Sequence, residues 1–232
     1  MIKNFQTVIL ITGGFCKTFA TEVYKLSKEI RNKPIEIIFE SFDLFLRELL
    51  SNARGSSIER PISYGYFKDT GIELDKRFKR YFFARIESFI AENTNMHMKQ
   101  TLYDLVQNTG SKNGFHIEHI LSDNSENKFL FNNDEEYFEK ERNRLGALLL
   151  LKGKDNISSN NETYQKKLKS YANTLYWNET LREDSYKSKL DFSEMMKKHN
   201  LKFRYMNQFG PEEIEERHRL LYDMVKIIWK RL

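Results

Sequence analysis

Apolar residues recur at intervals of three and four positions in two long stretches of the first half of the chain, and this spacing predicts amphipathic helices. In the stretch 36–52 the apolar residues that share one helix face are Ile38, Phe42, Phe45 and Leu49. After Asp75, a residue type that caps helices, they are Phe78, Phe82, Ile86 and Phe89. Glycines and a proline between residues 55 and 71 predict a loop between these helices, and a shorter helix is predicted from about residue 98 to 108.

The pattern changes at Gly114. Residues 115–120 alternate as a β-strand does, with Phe115 and Ile117 on one side and His116 and Glu118 on the other. A charged helix is predicted at 132–144, a wholly apolar strand at 145–151, and a helix after the S-x-x-E spacing at 159–162. Residues 114–177 therefore read as strand, loop, strand and helix inside a mainly α (α+β) protein, whose last helix opens at Gly210 and Pro211.

Composition narrows the class of protein. The chain has 232 residues, 40% of them hydrophobic, and a net charge of +5, which allows a sizeable core and permits binding to a polyanion. The single cysteine, Cys16, is expected to be a buried thiol in a reducing cytoplasm. The apolar run near the N-terminus is interrupted by Gly13, Gly14 and Lys17, which favours a core element over a signal peptide, and no stretch is apolar enough to predict a membrane span.

The residues that suggest chemistry are His116, Glu118 and His119. On a strand the first two share a face with Cβ atoms about 7 Å apart, so an imidazole and a carboxylate can share one cation. His119 points the other way in an ideal strand, although the strand ends there and the chain can turn it towards the ion. Asn156 follows the apolar strand and adds a hard amide oxygen, so an open Mg²⁺ or Mn²⁺ shell is predicted, with a neutral imidazole as the base. The alternative is a polar strand at the surface.

The string HIEHIL, followed by LGALLLLKGKDNISSNNETYQKKLKSY, resembles the HNH (His-Me finger, ββα-metal) nuclease domain at the C-terminus of GmrSD-type restriction endonucleases. The resemblance covers residues 113–177. It implies that His119 is the general base and that Glu118 and Asn156 hold the metal. His116 stands where relatives often carry a polar residue, and two alternatives stay open for it: contact with the metal, directly or through water, or no contact. Asn160 would cap or brace the following helix.

One position departs from the family pattern. The middle asparagine of G-N-L falls on Ala147, so its role in orienting the histidine is either lost or passed to a neighbour such as Asn143 or Asn124. Basic residues near the site are expected to contact phosphate, with a solvated face as the alternative: Lys152, Lys154, Lys166 and Lys167.

The resemblance implies a cytoplasmic, divalent-metal-dependent DNA endonuclease of bacterial anti-phage restriction, acting on double-stranded DNA with Mg²⁺ or Mn²⁺. Residues 1–112 are predicted to be a helical connector and residues 113–232 the nuclease domain with C-terminal helices. The D-G-Q-Q-R-like motif of the family's nucleotide-hydrolysing domain does not occur in the chain, so we expect that sensor on another segment or subunit. The resemblance also leaves room for a homodimer. Two alternatives stay open: a weak or inactive nucleic-acid-binding module, and a helical interaction protein whose H-x-E-H strand is incidental.

Overall fold

The computed structural model describes residues 20–54, 57–59, 63–155, 162–187 and 190–229. Predictions for Cys16, the N-terminal apolar run, Ser159, Asn156 and Asn160 lie outside these residues. The chain divides into two compact units, one formed by residues 1–73 and 229–232 and the other by Leu74–Ile228. None of the helices in the described part of the chain has the length and apolar character needed to cross a membrane.

The described elements of the first unit are helices: α1 (Ala20–Glu29), α2 (Ile35–Arg54) and α3 (Tyr64–Glu73). Helices α1 and α2 pack together, and the turn between them places Asn32 at φ 60°, a left-handed conformation that asparagine tolerates. Helix α2 corresponds to the helix predicted at residues 36–52. The loop predicted between residues 55 and 71 is wrong for residues 64–71, which belong to helix α3. A glycine inside a helix costs only about 1 kcal/mol, and Phe67 in this helix is fully buried.

The second unit is built around a long, largely buried helix. Its elements are α4 (Lys76–Asn93), α5 (Leu102–Gln107), β1 (Phe115–His119), α6 (Ser125–Phe129), α7 (Glu135–Arg142), β2 (Leu148–Lys152), α8 (Tyr164–Ser170), α9 (Tyr176–Glu179), α10 (Leu190–His199) and α11 (Pro211–Ile228). Asp75 caps α4 by accepting a hydrogen bond from Arg77 N at 2.7 Å, as predicted. Helix α4 contacts both strands and helices α5, α9, α10 and α11, so the predicted boundary at residue 112 lies inside this unit.

The two strands pair antiparallel, from Phe115 opposite Lys152 to His119 opposite Leu148. The four leucines of β2 are all buried, so both faces of this strand pack inside the protein. The strand predicted at residues 145–151 begins three residues later in the structure, at Leu148, because residues 145–147 form a 3₁₀ turn. A Cβ on Gly146 would lie 2.5 Å from the carbonyl oxygen of Ile214, so glycine permits the close approach of this turn to α11.

Three of the predicted helices are shorter than expected. The helix predicted from about residue 98 to 108 is α5, which spans only Leu102–Gln107. The charged helix predicted at 132–144 is α7, which begins after Asn132 and Asn133, both at φ 57°, and is capped by Asp134. The helix predicted after residues 159–162, as the last element of the range 114–177, is α8, which ends at Ser170; Asn173 then adopts φ 57° and the chain turns into α9. The mainly α architecture with a two-stranded hairpin and a helix is confirmed.

A buried carboxylate joins the central helix to α9. Glu87 accepts hydrogen bonds from the backbone N–H groups of Tyr176 at 2.8 Å and Trp177 at 3.0 Å. Burial raises its pKa to about 7, against the two N–H groups, which lower it. Glu87 therefore fixes the start of α9 on the long helix that also supports the hairpin.

Candidate active site around His119

The hairpin sets the directions of the three candidate side chains. Glu118 lies opposite Leu149 and His116 opposite Leu151, while His119 closes the strand opposite Leu148. Because side chains alternate along a strand, Glu118 and His116 share one face and His119 lies on the other. The histidine and the glutamate consequently have different partners, each brought from a different helix.

His119 is held by an asparagine at the end of α7. Its Nε2 atom lies 3.0 Å from Asn143 Oδ1. The amide nitrogen of Asn143 donates to the carbonyl oxygen of Glu139 at 2.7 Å and lies 3.3 Å from its Oε2. Since the amide nitrogen is used on Glu139, its oxygen accepts from His119, which assigns the proton to Nε2 and leaves Nδ1 with a free lone pair.

Asn143, and not the residue at position 147, contacts the histidine. Ala147 is fully buried in the 3₁₀ turn and offers no side-chain hydrogen bond. The asparagine that contacts the histidine is Asn143, four positions earlier, whereas Asn124 caps α6 by accepting from Asn127 N. An amide contact to the ring is therefore present, supplied by a helix end and not by the strand.

Burial and nearby positive charges keep the His119 ring neutral. Burial has the largest effect and lowers the pKa of His119, the bond to Asn143 acts in the opposite direction, and the positive charges of Arg142, Lys79 and Lys167 act with burial, so that the pKa is about 4. A neutral imidazole at physiological pH can accept a proton from water.

Glu118 is neutralised inside the protein. Its carboxylate is only 5% exposed, and Lys167 Nζ from α8 lies 2.5 Å from Oε1. The same ammonium donates to the backbone carbonyl oxygen of His119 at 2.8 Å. Burial raises the pKa of Glu118, and the charge of Lys167 partly offsets that effect. Lys167 is itself 1% exposed, so the structure places it in this pair and not on an exposed basic surface.

Among the described residues of the site, the carboxylate of Glu118 is a suitable ligand for a hard divalent cation. Mg²⁺ is commonly bound through one or two carboxylates, waters and substrate phosphates, and Glu118 offers one such carboxylate. His116 Nε2 lies 3.3 Å from the carbonyl oxygen of Gly110, which leaves its other ring nitrogen for a ligand. Within the described ranges, no three His, Cys, Asp or Glu side chains form a group that could hold a metal. Asn156 lies outside those ranges, so Glu118 is the described residue best suited to a metal.

The other three lysines predicted to contact DNA are, unlike Lys167, at least partly exposed. Lys152 and Lys154 line a small cleft of about 170 Å³ that also contains Lys99, and Lys152 lies 5.9 Å from the centre of the Phe115 ring. Lys154 and Lys166 are exposed. These side chains can reach a polyanion in solution.

Sequence reasoning did not identify the groups that surround the histidine. Glu139 binds Asn143 and also pairs with Arg142 at 2.8 Å, so the end of α7 forms one hydrogen-bonded cluster behind the ring. Glu139, Arg142 and Asn143 lie within about one helical turn of each other, and this spacing could have predicted the cluster. The sequence does not predict the position of Lys79 beside the site, because that position depends on how α4 packs against β1.

The fold and site define a small α+β domain in which a hairpin and a helix present a neutral, amide-braced histidine beside a buried glutamate–lysine pair. Residues 72–224 match the family described as GmrSD restriction endonucleases, C-terminal domain. Since the match covers well over half of the chain, the protein belongs to this family, and the match begins close to the start of the second unit. Neither the curated proteins nor the solved structures compared with the chain gave a match.

Proposed function

We propose that this protein is a divalent-metal-dependent DNA endonuclease of the HNH type, the nuclease part of a bacterial anti-phage restriction system. Membership of the restriction endonuclease family supports the nuclease role. The observation that carries the proposal is the state of His119, whose Nε2 is engaged by Asn143 while Nδ1 remains available. An orientation of this kind suits a general base.

In the proposed reaction, Nδ1 of His119 removes a proton from the attacking water. Asn143 keeps the ring in one orientation and one tautomer, so that the same nitrogen faces the water in each cycle. Burial, together with the positive charges of Arg142 and Lys79, keeps the ring neutral, and these charges also favour a phosphate nearby. Glu118 and Asn156, with His116 as a further candidate, would hold Mg²⁺ or Mn²⁺, which would supply positive charge to stabilise the phosphorane-like transition state and the leaving oxygen.

The proposed substrate is double-stranded DNA. Lys152, Lys154 and Lys166 would contact its backbone, since neutralising phosphates dominates affinity for nucleic acid. We also propose a cytoplasmic location, a nucleotide-hydrolysing sensor domain or subunit as a partner, and a homodimer as the form that would cut both strands.

The proposal is tested by incubating the protein with supercoiled plasmid and Mg²⁺ or Mn²⁺. The wild type is expected to nick the plasmid, and His119→Ala is expected to abolish nicking because the base is lost. His97→Ala is the matched control, since His97 is an exposed histidine outside the site. Equal nicking by wild type and His119→Ala would refute the assignment of the base.

A second candidate function is a catalytically weak or inactive DNA-binding module. It is favoured by the pairing of Glu118 with Lys167, which already satisfies the carboxylate. DNA binding without nicking under either metal would select this function over the first.

A further inference from the structure

The ammonium group of Lys167 is bound to Glu118, the described carboxylate that would hold the proposed metal. It lies 2.5 Å from Glu118 Oε1 and 2.8 Å from the carbonyl oxygen of His119, so it is held by two oxygens at the end of β1. Both members of the pair are buried, at 1% exposure for the lysine and 5% for the glutamate. Water therefore screens their attraction much less than it would at the surface.

We propose that Lys167 is a built-in competitor for the metal: it occupies Glu118 in the free protein, keeps metal affinity low, and yields when a DNA phosphate arrives with the metal. This inference rests on the proposed metal-dependent function of the same site. It adds a coupling between the two ligands, since metal and DNA would each bind more tightly in the presence of the other.

The local charge balance supports this competition. The charges of Lys167 and Arg142 act on Glu118, and those two together with Lys79 act on His119. One carboxylate thus faces several cations, and a further dication entering beside Glu118 would be repelled. A phosphate contributes negative charge and a metal-binding oxygen at the same place, which removes the main obstacle to the ion.

The competition also predicts reciprocity. If DNA raises the affinity for the metal, the metal must raise the affinity for DNA by the same factor, because binding free energies are linked. The coupling should depend on the charge at position 167 and not on the charge of Lys169, an exposed lysine of the same helix.

The test is the affinity of the DNA-free protein for Mn²⁺, measured by isothermal titration calorimetry and by electron paramagnetic resonance of unbound Mn²⁺. Lys167→Met removes the charge and keeps an apolar stem, and it is expected to bind Mn²⁺ at least tenfold more tightly than the wild type. Lys167→Arg, which keeps the charge, and Lys169→Met, at an exposed lysine of the same helix, are expected to stay within about twofold of the wild type. An unchanged or weaker affinity in a folded Lys167→Met protein overturns the inference.

A second measurement decides the matter if Lys167→Met does not fold. Mn²⁺ binding is measured on His119→Ala, which is not expected to cleave, with and without a 12-base-pair duplex. The duplex is expected to raise Mn²⁺ affinity at least tenfold, and no rise overturns the inference. If plasmid nicking depends on His119 while these affinities do not change, only the role of Lys167 fails. If no variant binds Mn²⁺ and the wild type does not nick, the proposed function fails with it.

Discussion

Replacing Asn143 by alanine removes the group that orients the histidine. His119 Nε2 would lose its acceptor at 3.0 Å while the ring stays mostly buried, and leaving a buried donor unsatisfied costs about 1–3 kcal/mol. If that cost falls on the reactive orientation, the single-turnover nicking rate should drop about 5- to 150-fold. DNA affinity should change little, because the amide is used on the ring and on Glu139.

The assay is single-turnover nicking of supercoiled plasmid with Mn²⁺, with DNA affinity measured separately by fluorescence anisotropy. Asn124→Ala is the matched control: it removes an amide that caps α6 and should cost about 1 kcal/mol of stability without touching the histidine. Asn143→Ala at the wild-type rate, or a loss no larger than that of Asn124→Ala, would refute the reasoning.

Three further predictions follow from the described contacts. Burial raises the pKa of Glu87 from 4.5 to about 7, so the contribution of its protonated form to stability is fully present below pH 4.5 and is lost as pH rises through about 7. In urea unfolding at several pH values, the free energy of unfolding of Glu87→Gln should therefore fall with pH by about 3 kcal/mol less than that of the wild type. Glu136→Gln, at an exposed glutamate, should show the wild-type pH dependence. Ala147→Asn should overpack a fully buried position and lower the free energy of unfolding by about 1–3 kcal/mol. It should not nick plasmid faster than the wild type, and a variant that is both stable and faster would contradict the role of Asn143. Lys154→Ala and Lys166→Ala should each reduce the salt dependence of DNA affinity by about one ion, measured by anisotropy at several salt concentrations, and unchanged slopes would exclude phosphate contacts there.

Local sequence determined the elements that carry the site. The alternation at Phe115–His119 predicted β1, the apolar run predicted β2, and Asp75 predicted the start of α4, all of which the structure shows. These features depend on neighbours within a turn or a few strand positions, so the sequence alone displays them. Helix α3 escaped prediction because its glycines resemble a loop, while the burial of Phe67 is a tertiary effect.

What the sequence determined by itself is the family resemblance, the hairpin and helix, and the presence of Glu118 and His119 in one short strand. Tertiary structure decided which groups they meet: Asn143 is 24 positions from His119, and Lys167 is 49 positions from Glu118. From sequence alone, a lysine on a helix is expected to be solvated. Lys167 is buried because α8 packs on the hairpin, which places its ammonium group against Glu118. The physical reason is that burial and long-range contacts set the charge state and the partner of each group, and neither is encoded by spacing along the chain.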